Sequence, residues 1–191
     1  MISAGRIPGY RLEGHAIVSD DDRIAGPDGE TPAELSNEAD WLRFQAALDE
    51  AAVVVLGRLS HEVNPNTGRR NRLVVSSSAK GVERRSDAWW WNPADAPLAV
   101  ALKSAAPGGG IVAVPGGRLI FDMFLKVGFD AFYLARAGGV RIPGGIPLFS
   151  AIDTGRTAGD VLAGAGLAPG SAEILDEPAG VTLVAWRRRA T

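Results

Sequence analysis

Residues 111–125, IVAVPGGRLIFDMFL, pass from a short apolar run through a glycine pair into an amphipathic stretch. Ile111 to Val114 is uninterrupted by any polar residue, as in a strand covered on both faces of a sheet. Pro115-Gly116-Gly117 ends the strand. Arg118 to Lys126 then reads as a helix with Leu119, Phe121, Met123 and Leu125 mostly inward. A buried strand leading into a helix is the building unit of a parallel sheet, because the helix carries the chain back across the sheet.

The same unit recurs along the chain. Val53-Val54-Val55-Leu56 is a second buried run, ended by Gly57, and Leu73-Val74-Val75 is a third, ended by Ser76-Ser77-Ser78. Gly14 to Ser19 reads as the first strand and is followed by an acidic, Gly/Pro-rich loop from Asp20 to Pro32. Ser36 or Asn37 caps a helix whose first turn carries Glu38 and Asp40, the charge that suits the positive end of the dipole. Trp41, Phe44 and Leu48 fall at helical spacing on it and predict a buried stripe. Ala94 to Ala105 reads as helix and Ala131 to Ala135 as strand. Ala172 to Leu175 and Val181 to Trp186 flank the turn residues Asp176 to Gly180, an antiparallel hairpin. These elements predict an α/β domain spanning 1–191, with residues 1–11 as an N-terminal extension. Its sheet is mixed and mainly parallel, with helices on both faces and an antiparallel hairpin at the C-terminus.

Composition narrows the chemistry. The 191 residues include 24 glycines, no cysteine and two histidines, His15 and His61. Thiolate nucleophiles, iron–sulfur clusters and multi-histidine metal centres are therefore excluded. A net charge of −2 gives no global attraction to nucleic acid. The N-terminus carries no apolar run of signal-peptide length, and no stretch of about 18 residues is free of charge, so a soluble, cytoplasmic protein without membrane contact is expected. Asp20-Asp21-Asp22 lacks calcium-loop spacing and reads as a solvated turn, and Arg187-Arg188-Arg189 as a solvated tail. Trp89-Trp90-Trp91 exceeds what one sheet face buries and suggests core packing plus a contact between two copies, a homodimer.

Three buried strands end in small or polar residues, and ligands of open α/β sheets bind outside such strand ends. Glycine admits close backbone approach to a phosphate, and free N–H groups at the next helix attract anions. Gly57, Arg58, Ser60, Ser76, Ser77, Gly116 and Gly117 thus outline a split site for a long, multiply phosphorylated ligand such as a dinucleotide. Taken singly, each glycine has the plainer role of ending a strand. No G-x-x-x-x-G-K-[ST] is present, and Gly108-Gly109-Gly110 precedes its strand where a Rossmann fingerprint would follow one.

Five segments, in order, resemble one family. SDDDRIAGPDG (19–29), the helix NEADWLRFQAAL with VVVLGRLSHE, RLVVSSSA, IVAVPGGRLIFDMFL and GGIPLFS (144–150) are similar to segments of the dihydrofolate reductase superfamily. They are nearest its branch containing the reductase domain of bacterial riboflavin biosynthesis. The resemblance implies that fold and an NADPH-dependent reductase. It implies that Gly57, Arg58 and Ser60 hold phosphates and that Ser76 and Ser77 meet the 2′-phosphate. Gly116, Gly117, Arg118, Leu119 and Ile120 would line the pyrophosphate and nicotinamide, with Ile24 and Ala25 over the ring. The substrate would lie against Trp41 and Phe44, with Asp40 or Glu38 as the catalytic acid. Dipole complementation is the alternative role for both acids. The chain departs from the pattern at Asp22, where glycine is usual, and lacks the riboflavin branch's D-D-P-x-L segment. A pyrimidine reductase, a dihydrofolate reductase and a nucleotide-binding protein without turnover all stay open.

Overall fold

A computed structural model describes residues 6–189. The chain begins with β1 (Tyr10–Val18) and the short β2 (Arg23–Ala25), then α1 (Glu38–Glu50). The units β3 (Val53–Gly57), α2 (Arg58–Val63) and β4 (Arg72–Val75) follow. A small hairpin, β5 (Val82–Arg84) and β6 (Trp89–Trp91), leads to α3 (Leu98–Ala105) and β7 (Gly110–Val114). Then come α4 (Arg118–Val127), β8 (Ala131–Ala137), the two-residue β9 (Ile146–Pro147) and α5 (Ala158–Gly164). The hairpin β10 (Leu167–Asp176) and β11 (Val181–Arg188) ends the fold.

Nine strands form one sheet in the order β10-β11-β8-β1-β7-β3-β4-β6-β5. Five of its eight pairings are parallel and the three antiparallel ones lie at its margins, so the sheet is mixed and mainly parallel. Strand alternation sends Leu12, Val53, Val55, Val112 and Val114 to one face, where Leu102, Phe121, Phe124 and Leu162 of α3, α4 and α5 cover them. Val54, Leu56, Val74 and Ala113 point to the other face, under Leu48 and Phe44 of α1. Full burial of a side chain such as Phe121 or Phe124 contributes roughly 1.5–3 kcal/mol. The first face is thus the larger store of stability, while α1 is held more lightly.

Several expectations are corrected. The first strand starts at Tyr10, four residues before Gly14, so residues 10 and 11 belong to the sheet and not to an extension; residues 1–5 lie outside the described chain. Arg11 pairs with Glu13, which lets a strand carry charge through a buried position. The helix expected from Ala94 begins at Leu98, because Pro97 disfavours helical backbone at the residue before it. On α4, Leu119 is 72% exposed, and Trp41 on α1 is 57% exposed, so neither joins the core. Arg187 and Arg188 are strand residues of β11, and Arg188 approaches Asp130.

The three aspartates are a solvated turn only in part: Asp20 and Asp21 form a turn and Asp20 is exposed, but Asp22 is buried. Asp20 accepts the Gly139 N–H, Asp21 accepts from Ser19 and Ile142, and Asp22 is 6% exposed. Asp22 has φ +59°, the left-handed backbone that glycine adopts freely, and its carboxylate pairs with Arg136 and accepts the Ala158 N–H at 2.8 Å. These two long-range partners hold the aspartate in that conformation. The tryptophan run is also absorbed within one chain. Trp91 packs on the first face and Trp90 on the second, with indole N–H bonds to Ala96 O and Asp87. It therefore carries no argument for a second copy.

Candidate functional site

A cleft of about 1100 Å³ opens where α1 and β2 approach the carboxyl ends of β3 and β7. Its wall includes Ile24, Ala25, Glu38, Asp40, Trp41, Phe44, Ser60 and Gly117, which brings residues from four separate sequence segments together. The β2 segment is held there by pairing with β9, and by Arg23, whose guanidinium donates to Gly145 O and Asp153.

At one end lie two strand-to-helix turns. The β3–β7 register aligns Val54 with Ala113, so the two turns leave the sheet from adjacent strands. Gly57 and Gly117 cap α2 and α4, and neither supplies a capping side chain, so the first N–H groups of both helices are left to other acceptors. Gly116 has φ +109°, and a Cβ there would stand 2.6 Å from the Phe121 ring. The Gly116–Gly117 peptide is cis. Nothing lies within 4 Å of where a Gly117 Cβ would sit, and Ile120 packs beside Gly57. Arg118 has no ion-pair or hydrogen-bond acceptor among the described residues, and its Nε is buried. A buried guanidinium N–H beside free helix N–H groups fits an anion such as a pyrophosphate. Arg58 is exposed and spans to Glu62 at 2.8 Å. Ser76 is buried and bonds within its own turn to Ser78, whereas Ser77 is exposed.

The other end is built by α1. Asn37 is the cap, accepting the Asp40 N–H and donating to Asp176 of β10, which ties the helix start to the C-terminal hairpin. Asp40 is 7% exposed and accepts from Arg43 at 3.0 and 3.3 Å, while Glu38 is exposed at the rim. Trp41 and Phe44 form a tilted pair, 5.9 Å between centroids, at the cleft mouth.

Arg43 and His15 are among the residues of this wall that escaped the sequence reading. His15 is 2% exposed, lies flat on Tyr133 (5.0 Å, 6°), and has no hydrogen-bond partner at either nitrogen. The Glu13 carboxylate lies 3.9 Å from its Nε2. Burial, helped by the Arg43 charge, pushes its pKa down to about 4, so it is neutral at ordinary pH. A buried polar group left unpaired costs about 1–3 kcal/mol. Its only sequence signal was a polar residue in an apolar strand, and Tyr133 is brought beside it by a strand pairing 118 residues distant.

No protein-family model matches the chain, and no curated protein is similar to it in sequence. Solved structures are similar in fold. A protein of Shewanella sp. PV-4 assigned to riboflavin biosynthesis superposes with a TM-score of 0.60 at 15% identity, over 95% of this chain and 100% of that one. A diaminohydroxyphosphoribosylaminopyrimidine deaminase/5-amino-6-(5-phosphoribosylamino)uracil reductase of Thermotoga maritima gives 0.62 at 14% identity over 94% of this chain. This chain spans 57% of that protein. Dihydrofolate reductase of Enterococcus faecalis, complexed with NADP(H), gives 0.62 at 14% identity, over 94% and 97% of the two chains. The chain has the dihydrofolate reductase fold.

Proposed function

We propose that this protein is an NADPH-dependent oxidoreductase that reduces a C=N or C=O bond of a small heterocyclic or carbonyl substrate, in the manner of the pyrimidine reductases of riboflavin biosynthesis. The observation that carries this reading is one cleft with two chemically different ends. One end, at Gly117, borders the uncapped N–H groups of the first turn of α4, with the unpaired Arg118 next in the chain and outside the cleft lining; the other offers an apolar wall with a buried carboxylate. Fold likeness to reductases, one of them complexed with NADP(H), supports it.

When bound, the nicotinamide supplies hydride chemistry at C4. The α4 N-terminus, Gly117 and Arg118 hold the pyrophosphate, with Arg58 and Ser60 beside it. Ser77, exposed at the end of β4, meets the 2′-phosphate more readily than Ser76. Ile24 and Ala25 cover the nicotinamide, while Trp41 and Phe44 keep water from the substrate. Asp40, oriented by Arg43, stands where a proton must be held for the reduced atom. Oxidation of NADPH by the full chain with pterins, ribosylamino-pyrimidines and small carbonyls tests the reading; turnover with at least one class is expected, and none with any contradicts it. The grip of Arg43 on Asp40 favours a second reading, a nucleotide binder without turnover, which the same panel separates. Dihydrofolate reduction would show as turnover confined to the pterins.

A further inference from the structure

The molecule has a second, open cavity of about 400 Å³ that shares no lining residue with the cleft. The cleft meets β1 at His15, whose register partner on β8 is Tyr133. Leu134 and Arg136 of β8 line the second cavity, and strand alternation sets Leu134 on the opposite face from Tyr133. Across the β8–β11 pairing, Thr182 stands beside Arg136 and Val184 beside Leu134, so these side chains share that face. The seven residues of α5 leave this part of the sheet uncovered, and the cavity opens beside its first turn, at Thr157 and Gly159.

The lining is graded along β11. At one end Arg136 donates to Ser19 O and to Asp22, whose other oxygen accepts the Ala158 N–H, so this ion pair is complete within the protein. Asp20 differs. It is exposed, one of its oxygens accepts the Gly139 N–H at 2.9 Å, and no cation pairs with it among the described residues. Two carboxylates against one guanidinium leave the lining with an excess negative charge. Four residues along β11 from Thr182, about 13 Å at the rise of a strand, the wall is the half-buried indole of Trp186, with Val184 and the buried Leu134 between. A ligand matched to this gradient has a cationic head and a flat apolar body. An anion meets the Asp20 charge, and an uncharged ring gains nothing from it.

We propose that this cavity is a second ligand site, separate from the cleft, that takes a small arylalkyl ammonium ion. Its head donates to the Asp20 carboxylate and its ring lies on Leu134, Val184 and Trp186. The volume is that of a small-molecule pocket, and the opening beside α5 requires no side chain to move. The proposal stands independently of the reductase reading.

The test titrates the full chain with tryptamine, using 3-ethylindole and indole-3-propionate as neutral and anionic comparators of similar shape. Calorimetry gives the affinities, and NMR of backbone amides and indole N–H groups gives the location. Tryptamine is expected to bind about fivefold more tightly than 3-ethylindole, as an exposed carboxylate implies, with indole-3-propionate weaker still. Shifts are expected at the Gly139 and Ala158 amides and at the Trp186 indole. Asp20→Asn, which keeps an acceptor for the Gly139 N–H, should remove the preference for the cation. Thr182→Phe, which fills the floor from a half-buried position, should abolish binding, and a melt of each variant checks that it is folded. Saturating NADPH should leave tryptamine binding in place. No binding by tryptamine, equal affinity for the three probes, a preference unchanged in Asp20→Asn, displacement by NADPH, or shifts confined to cleft residues such as Phe44 and Gly117 would each overturn the proposal.

Discussion

Arg118 occupies the first turn of α4 with a buried Nε and no acceptor, so its removal takes little from the folded protein and much from a bound anion. Arg118→Ala is expected to weaken NADPH by about tenfold or more, since a charge-assisted bond is worth about 1.5–3 kcal/mol. The effect on the thermal unfolding midpoint should be small, and nucleotide titration beside a melt checks both. Arg58 already pairs with Glu62 in solvent, so Arg58→Ala should weaken NADPH less than Arg118→Ala but more than it weakens substrate. Gly116→Ala behaves in the opposite way. Its φ of +109° and the 2.6 Å approach to Phe121 predict a loss of stability of about 1–3 kcal/mol, read from urea unfolding. His15 carries a pH signature. Glu13 on its own strand, Tyr133 on β8, and Arg43 on α1, itself paired with Asp40, surround it, and its folded pKa of about 4 lies below the ordinary histidine value of 6.5. The unfolded chain therefore takes up the proton first as pH falls. Stability is full above pH 6.5 and declines towards pH 4, by about 3 kcal/mol in all. Between pH 7 and pH 5 the native chain should lose about 2 kcal/mol more than His15→Gln; equal losses would contradict a buried, neutral His15.

At the scale of elements, the cleft is assembled by two tethers. Asp22 fixes the β1–β2 turn to Arg136 of β8 and to the start of α5. Asp22→Ala leaves a half-buried arginine and an amide N–H without their acceptor and should cost about 3 kcal/mol. It should also loosen the segment bearing Ile24 and Ala25, so that NADPH binds more weakly even where the protein stays folded. Asn37 caps α1 and holds Asp176, and Asn37→Ala should cost about 1 kcal/mol and raise the substrate KM more than it lowers NADPH affinity. The strands β3, β4 and β7 and the helices α1 and α4 were legible because buried parallel strands are continuous apolar runs and their ends carry glycine, serine or a cap. Two short helices were not. In α2, Arg58 to Val63 follows its strand without a linker, and AGDVLAG of α5 is too short and glycine-rich to show a period. The exposure of Trp41 was hidden for a different reason: helical spacing shows that residues share a side, not whether that side meets the sheet or a cleft.

For the molecule as a whole, strand order was inferable as mainly parallel, but the neighbours of β1 were not. His15 meets Tyr133, and Asp22 meets Arg136, only because β1 lies beside β8, a long-range pairing that no local pattern records. The glycine-ended strands at one side of the cleft were readable since glycines at strand ends have a backbone cause; the opposite wall depends on side chains converging from distant segments. Among the described residues no helix is long and apolar enough to cross a membrane. A homodimer rests on the resemblance alone, with Trp90 and Trp91 buried and Trp89 half-buried within one chain. Light scattering at micromolar concentration is expected to give twice the chain mass, and a monomer contradicts it. Dinucleotide binding is the property on which the functional reading depends, and fluorescence titration of the full chain with NADPH measures it. A saturable change at micromolar NADPH is expected, with NADH weaker by about tenfold, as loss of a charged 2′-phosphate contact implies. No change up to high micromolar nucleotide would contradict the reading of this cleft as a cofactor site.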